Sequence, residues 1–272
     1  MGSTISYHIA TGLLNDHAGP LLKNEAKKIR KQLKQHGAKK IVCVMDENSS
    51  DDSRWHTGHE MQRENYRYIL EKVIETPWLG VLFKPKIART LRSRLGDVND
   101  LLLEAEKTGR CLVYEKTGRY GTTTVPPMFL GLASDVCIHG HFCAGTAALE
   151  CSLQGLPTLL IDREGAPASK LNDLPKGKVV FKNWSDTIDS IMEHFNHPKG
   201  IPGFGDWSNV ITDLDPFRDG NAAKRMGTYL LGLNSGFEKG LDRDKVLADA
   251  AEKYANEWGA DKLFKLVKQI KI

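Results

Sequence analysis

The 272-residue sequence has no apolar run approaching the ~20 residues that a helix needs to cross a bilayer, so a membrane-spanning helix is not expected. It has no C-x-x-C pair. Its five cysteines (Cys43, Cys111, Cys137, Cys143 and Cys151) are odd in number and fall mostly in apolar stretches, the pattern of reduced, buried thiols. Internal repeats and low-complexity segments are absent. Strong charge imbalance is absent too: the net charge of +4 does not argue for nucleic acid, and no nucleic-acid partner is expected. The opening residues Met1-Gly2-Ser3-Thr4 lack the charged segment and apolar core of a secretion signal, which makes a cytoplasmic location the expectation.

What is present is an ordinary globular composition, 40% hydrophobic and 26% charged, in a chain long enough for one large core or two modest ones. Eight basic residues crowd between Lys23 and Lys40. Over 21–35, Leu22, Ala26, Ile29 and Leu33 recur at helical spacing with lysine and arginine on the other faces. That is a surface helix packed by one stripe, or alternatively a peripheral contact with the inner face of a membrane that brings the protein to a lipid-linked acceptor.

From residue 41 short β-branched runs alternate with helical stretches. The expected strands are Ile41–Met45, Leu79–Phe83, Cys111–Tyr114, Asp135–Ile138, Pro157–Ile161 and Lys178–Phe181. Helices are expected near 58–75, 87–107 in two pieces, 123–133, 144–154 and 184–196. Right-handed crossovers between such strands give an α/β fold with a doubly wound, six-stranded parallel sheet of Rossmann-like type. In the order 3-2-1-4-5-6 its switch point lies between the first and fourth strands, facing the loops 46–50 and 139–146. Three segments are expected: a basic amphipathic helical segment (1–40), the Rossmann-like domain (41–233) and a helical C-terminal appendage (234–272). In the appendage Asn234-Ser235-Gly236 reads as a turn, and 243–257 and 260–270 as helices, the second with a Leu263, Val267, Ile270 stripe.

The chemistry concentrates at that edge. Gly145, Thr146 and Ala147 are small residues at a helix start, where unpaired backbone N–H groups and the helix dipole favour a diphosphate. Glu150 lies one turn beyond Thr146 on the same face, placed to accept from ribose hydroxyls. Lys84-Pro85-Lys86 puts two ammonium groups at the end of a strand. His139 and His141 precede the phosphate loop. A zinc site there lacks convergent third and fourth ligands, and no metal is expected. Asp46 and Glu47 either cap and terminate local structure or face an acceptor, with His56 or His59 as an auxiliary acid or base. In the Gly118–Thr124 loop, Tyr120 can stack on a base and Thr122 can contact phosphate. Asp162-Arg163-Glu164-Gly165 is a further rim candidate, with surface ion pairing as its plainer role.

The pattern G-T-x-x-x-E at Gly145–Glu150, followed by G-x-P at Gly155–Pro157 before an apolar strand, resembles the donor-site motif of GT-B glycosyltransferases. Lys84-Pro85-Lys86 resembles the Lys-Pro-His type segment of bacterial capsule and teichoic-acid transferases, including CDP-glycerol-type enzymes, with lysine where histidine is often found. The resemblance implies a GT-B half whose helix start at Thr146 receives donor phosphates and whose Glu150 holds the ribose. It implies transfer of a sugar or polyol-phosphate from a nucleotide-linked donor, pyrimidine favoured, to a surface-polysaccharide or lipid-linked acceptor without metal or other cofactor. His139, His141, Asp46 and Glu47 are the expected catalytic residues. Lys84, Lys86, Gly145, Thr146, Ala147, Glu150, Tyr120 and Thr122 are the expected donor-binding residues. The first 40 residues are too few to supply the opposing half of a GT-B enzyme, so binding without turnover is an expectation of the chain by itself. Two alternatives stand beside this one: a sugar-nucleotide 2-epimerase, and a nonenzymatic nucleotide-binding module that recruits partners through its terminal helices.

Overall fold

A computed structural model describes residues 6–51, 57–116, 125–143, 145–165 and 169–265. In chain order the elements are β1 (Tyr7–Ile9), α1 (Ala18–Gln35), β2 (Lys40–Met45), α2 (His59–Glu75), β3 (Leu79–Lys84), α3 (Leu91–Leu95), α4 (Val98–Lys107), β4 (Cys111–Val113), α5 (Met128–Gly131), β5 (Val136–His139), α6 (Thr146–Ser152), β6 (Thr158–Ile161), β7 (Val180–Phe181), α7 (Trp184–Asn196), α8 (Ile211–Leu214), α9 (Ala222–Glu238), α10 (Arg243–Trp258) and β8 (Leu263–Lys265).

Strands β2 to β7 form one parallel sheet in the order β4-β3-β2-β5-β6-β7. Counted from β2, this is the 3-2-1-4-5-6 order with its reversal between β2 and β5. The pleat divides each strand's side chains between two layers. Val42, Val44, Val81, Phe83, Val136 and Ile138 join the core beneath α2, α3, α4 and α7, where Tyr66, Ile69, Leu95, Leu102 and Trp184 are buried. Ile41, Cys43, Met45, Leu82 and Cys137 join the other core, with Ala26 and Leu33 of α1, Phe129 and Leu130 of α5, and Cys151 of α6. Because both faces are covered, β3 is buried at every position and β2 at all but its first. All five cysteines are free, and only Cys143 is exposed.

The chain divides into two compact units, one of residues 19–211 and a smaller one of residues 1–18 with 212–272. These limits differ from the expected cuts at 40/41 and 233/234. The stripe of α1 packs into the core of the sheet, so this helix is one of the sheet's own layers. In the smaller unit β1 pairs antiparallel with β8, Tyr7 opposite Lys265, which ties the two ends of the chain together. Two local expectations are corrected. Residues 234–236 do not turn: α9 runs on to Glu238, and Gly236 faces α10, where an added Cβ would lie 2.8 Å from a methyl of Val246. Residues 260–270 do not form one helix: a short 3-10 turn at Ala260–Lys262 leads into β8. Val267 and Ile270 lie outside the described residues. No helix of the described residues is long and apolar enough to cross a membrane.

Candidate functional site

The parallel register sets three side chains abreast at the carboxyl edge. Met45 ends β2 between Lys84 of β3 and His139 of β5. Asp46 and Glu47 leave the edge directly after Met45. Ligands of open α/β sheets bind outside this edge, at the reversal.

Asp46 is buried and accepts from Lys86 N–H (2.7 Å), Tyr66 O–H (2.8 Å) and the Gln62 amide (2.9 Å). Burial raises its pKa, and these donors with Arg94 act against the rise. Glu47 takes the Lys86 ammonium and the Asn48 N–H. Burial pushes its carboxyl up, but those contacts outweigh it and the net shift is downward. Gln62 accepts the Ser49 hydroxyl proton, so Ser49 accepts in turn from His59 Nδ1 (2.8 Å) and Arg94 Nη1 (3.2 Å). Asp46 and Glu47, expected as acceptor-side catalysts, both fasten the loop after β2 in this conformation. Lys86 is likewise turned onto Glu47, and His59 onto Ser49. His56 lies outside the described residues.

The His139–His141 segment is tied down as well. Asn65 Oδ1 accepts from Trp184 Nε1 (2.9 Å) and from Arg163, both donors only, which turns the Asn65 NH₂ towards His141 Nε2 at 2.9 Å. Nε2 must then accept, and the ring proton sits on Nδ1, donated to Glu164 Oε1 at 2.8 Å. The second oxygen of Glu164 accepts the N–H groups of Phe142 (2.9 Å) and Cys143 (3.2 Å). His139 Nδ1 lies 2.9 Å from the carbonyl oxygen and 3.2 Å from the nitrogen of His141. Burial drives its pKa down to about 4, so the imidazole is uncharged at neutral pH. Both histidines, expected as catalytic, are buried and engaged, and in this conformation they shape the loop that leads to α6.

Lys84 remains the ammonium of the edge. It is buried, and burial lowers its pKa while the carboxylates of Asp46 and Glu150, among other groups, pull it back up. Glu150 is buried on α6, whereas Thr146 at the start of that helix is exposed and Ala147 half-buried. Gly145 does not open space for a diphosphate, because the position of a Cβ there is already met by Leu171 Cδ1 at 2.6 Å. Tyr120 and Thr122 lie outside the described residues. The structure thus brings Asp46, Lys84 and Glu150 into one electrostatic cluster and leaves Thr146 at the surface above it.

Residues that local reading does not single out hold the edge together. Gln62, Asn65 and Tyr66 lie on the buried stripe of α2 with Ile69 and Val73. The available signal is an amide at two positions of an otherwise apolar helical face. Arg163, in the segment expected as a rim, bridges Glu64, Asn65 and the Gly140 carbonyl (2.9 Å) as an internal clamp.

Among the described residues no group of three or more His, Cys, Asp or Glu side chains is placed to hold a metal ion. Cavities of about 520, 370 and 450 Å³ are lined by residues of the smaller unit. Compared with models of protein families, with curated proteins and with solved structures, the chain finds no match.

Proposed function

We propose that residues 19–211 bind the diphosphate and ribose of a nucleotide-linked donor at the carboxyl edge of the sheet, and that the chain serves GT-B-type transfer of a sugar or polyol-phosphate. The observation that carries this reading is the buried Lys84 ammonium at the switch point, in register beside β2 and within the field of Glu150 on the helix that follows β5. An ammonium at the carboxyl edge, where ligands of doubly wound sheets bind, suits an anionic ligand. Glu150, just over one turn along α6 from exposed Thr146, supplies an acceptor for hydroxyls.

A thermal-shift panel of CMP, CDP, UDP, GDP, ADP and NAD tests the reading. A ligand present at a hundred times its Kd adds roughly 2.7 kcal/mol to the native state. A selective rise with a pyrimidine nucleotide, lost in Lys84→Met and Glu150→Gln, is the expected result. No rise with any nucleotide, or a rise that both variants retain, overturns the site.

One observation favours a second reading, a nucleotide-binding module without turnover: Asp46, Glu47, His139 and His141 are all engaged in contacts within the protein. The same observation weighs against epimerisation, which requires a carboxylate and a histidine facing the sugar. Release of free nucleotide from a labelled donor in the presence of acceptor separates transfer from binding alone.

A further inference from the structure

The smaller unit contains a pocket of about 450 Å³ that the nucleotide reading does not use. Its wall comes from three backbone segments: Ala10–Gly12, Thr212–Pro216 and Asp261–Phe264. These segments are fixed before any ligand arrives. Asp215 is fully buried and accepts from the N–H groups of Leu13 (2.9 Å), Phe217 (3.0 Å) and Arg218 (3.2 Å), joining the first segment to the second. Gly12 permits this approach: its φ is +84° and an added Cβ would lie 3.0 Å from Asp215 Oδ1. Ala10 N–H donates to the Lys262 carbonyl at 2.9 Å and joins the first segment to the third.

The lining has a mixed chemistry that narrows the ligand. Asp213 and Asp261 contribute carboxylates, Thr11 and Thr212 hydroxyls, and Phe264 an aromatic ring that is 56% exposed. Lys262 stands in the same wall with its ammonium 2.6 Å from Asp261. Two carboxylates disfavour a phosphate or carboxylate ligand. The lysine disfavours a compact cation, and the carboxylates disfavour a purely apolar molecule. A ligand with many hydroxyl donors and one apolar C–H face matches both halves of the lining. The volume falls in the range of small-molecule sites, roughly 300 to 1,000 Å³.

We propose that this pocket binds a neutral saccharide of one or two units, stacked on Phe264 with hydroxyls donated to Asp261 and Asp213. Its lining shares no residue with the Lys84 edge, and it does not rest on the nucleotide reading.

Saturation-transfer NMR on the full chain with lactose, cellobiose, di-N-acetylchitobiose and tetramethylammonium, each at millimolar concentration and without nucleotide, provides the test. At least one disaccharide should bind. Phe264→Ala and Asp261→Asn should each weaken it about five- to tenfold, as expected for one stacked ring or one charge-assisted hydrogen bond. Thr212→Val, a near-isosteric change, should weaken it less, and thermal melts of each variant verify that the fold persists. Absence of binding by every disaccharide, binding of tetramethylammonium alone, or sugar binding that survives both Phe264→Ala and Asp261→Asn overturns the proposal.

Discussion

The carboxyl edge of the large sheet and the smaller helical unit fasten their buried polar groups with different partners. At the edge, Asp46, Gln62, Asn65, His141, Arg163 and Glu164 spend their donors and acceptors on one another, and the loops after β2 and β5 are pinned through side chains of α2 and of the segment after β6. In the smaller unit, buried Arg225 lies 3.4 Å from the ring centroid of Phe217 and 4.7 Å from that of Trp258, while Leu230, Leu231 and Phe237 stay half or more exposed. A network cross-linked in this way favours a single arrangement, because each buried group that lost its partner would cost the desolvation of that group. In the smaller unit Asp215 takes backbone N–H groups and Arg225 adds an ion pair with Asp219 to its two stacked rings, while the apolar side chains left at the surface specify far less. The contrast teaches that density of titratable residues along the sequence marks the best-fastened part of this molecule, and the open space lies elsewhere.

The sharpest way to break the comparison is to remove the central acceptor of the network. Asp46→Ala strands three donors, Lys86 N–H, Tyr66 O–H and the Gln62 amide, and should cost roughly 3 to 5 kcal/mol in denaturant unfolding. Asp261→Ala, on the rim of the open pocket, should leave the urea midpoint unmoved. Equal effects of the two substitutions would erase the distinction between the regions.

Protonation is the next test. His139 titrates near 6.5 in an unfolded chain and at about 4 in the fold. Between these values the unfolded state binds the extra proton, so this residue's contribution to stability is intact above pH 6.5, falls as the pH drops towards 4, and is flat below it. The loss amounts to about 3 kcal/mol. Asp46, whose pKa is raised by burial, acts with the opposite sign as its native carboxyl takes up a proton first. The difference between wild type and His139→Gln therefore isolates the histidine. The gap between the two unfolding curves should change by that amount across the window, and parallel curves would show that His139 is not held uncharged by the fold.

How far these regions were legible follows from whether their determinants are local. The strands and the span of α7 could be read because strands buried on both faces leave short apolar runs and amphipathic helices leave a period, whereas the sheet order and its switch point came from the common doubly wound arrangement. The direction of polar side chains could not. Asp46, Glu47, His139 and His141 attract attention by type, yet their partners Tyr66, Lys86, Asn65 and Glu164 are set by tertiary packing. The pairing of β1 with β8 joins Tyr7 to Lys265, and no local pattern reports it. Asn234-Ser235-Gly236 has the composition of a turn, but its glycine serves the contact with Val246 instead.

That glycine offers a third test, within the smaller unit. Gly236→Ala places a methyl 2.8 Å from Val246 and should separate α9 from α10 at a cost of about 1 to 3 kcal/mol from overpacking, against the small gain in helix propensity. Gly236→Ala combined with Val246→Ala should recover part of that cost. If Gly236→Ala alone raises stability, the contact with Val246 yields easily and helix propensity outweighs it.

The smallest effect is expected on the solvent face of the same helix. Leu231 is 71% exposed, so Leu231→Ser removes little buried surface and should change unfolding free energy by no more than about 0.5 kcal/mol. The comparison with the edge then becomes quantitative: one buried carboxylate against one exposed leucine, differing several-fold in cost although the leucine is the more hydrophobic. Leu231 also borders a groove of about 370 Å³ between α9 and α10, floored by Gly232, Gly236 and Ala250. Loss of well over 1 kcal/mol in Leu231→Ser would mean that this side chain is covered in solution and that the open character assigned to the smaller unit is wrong.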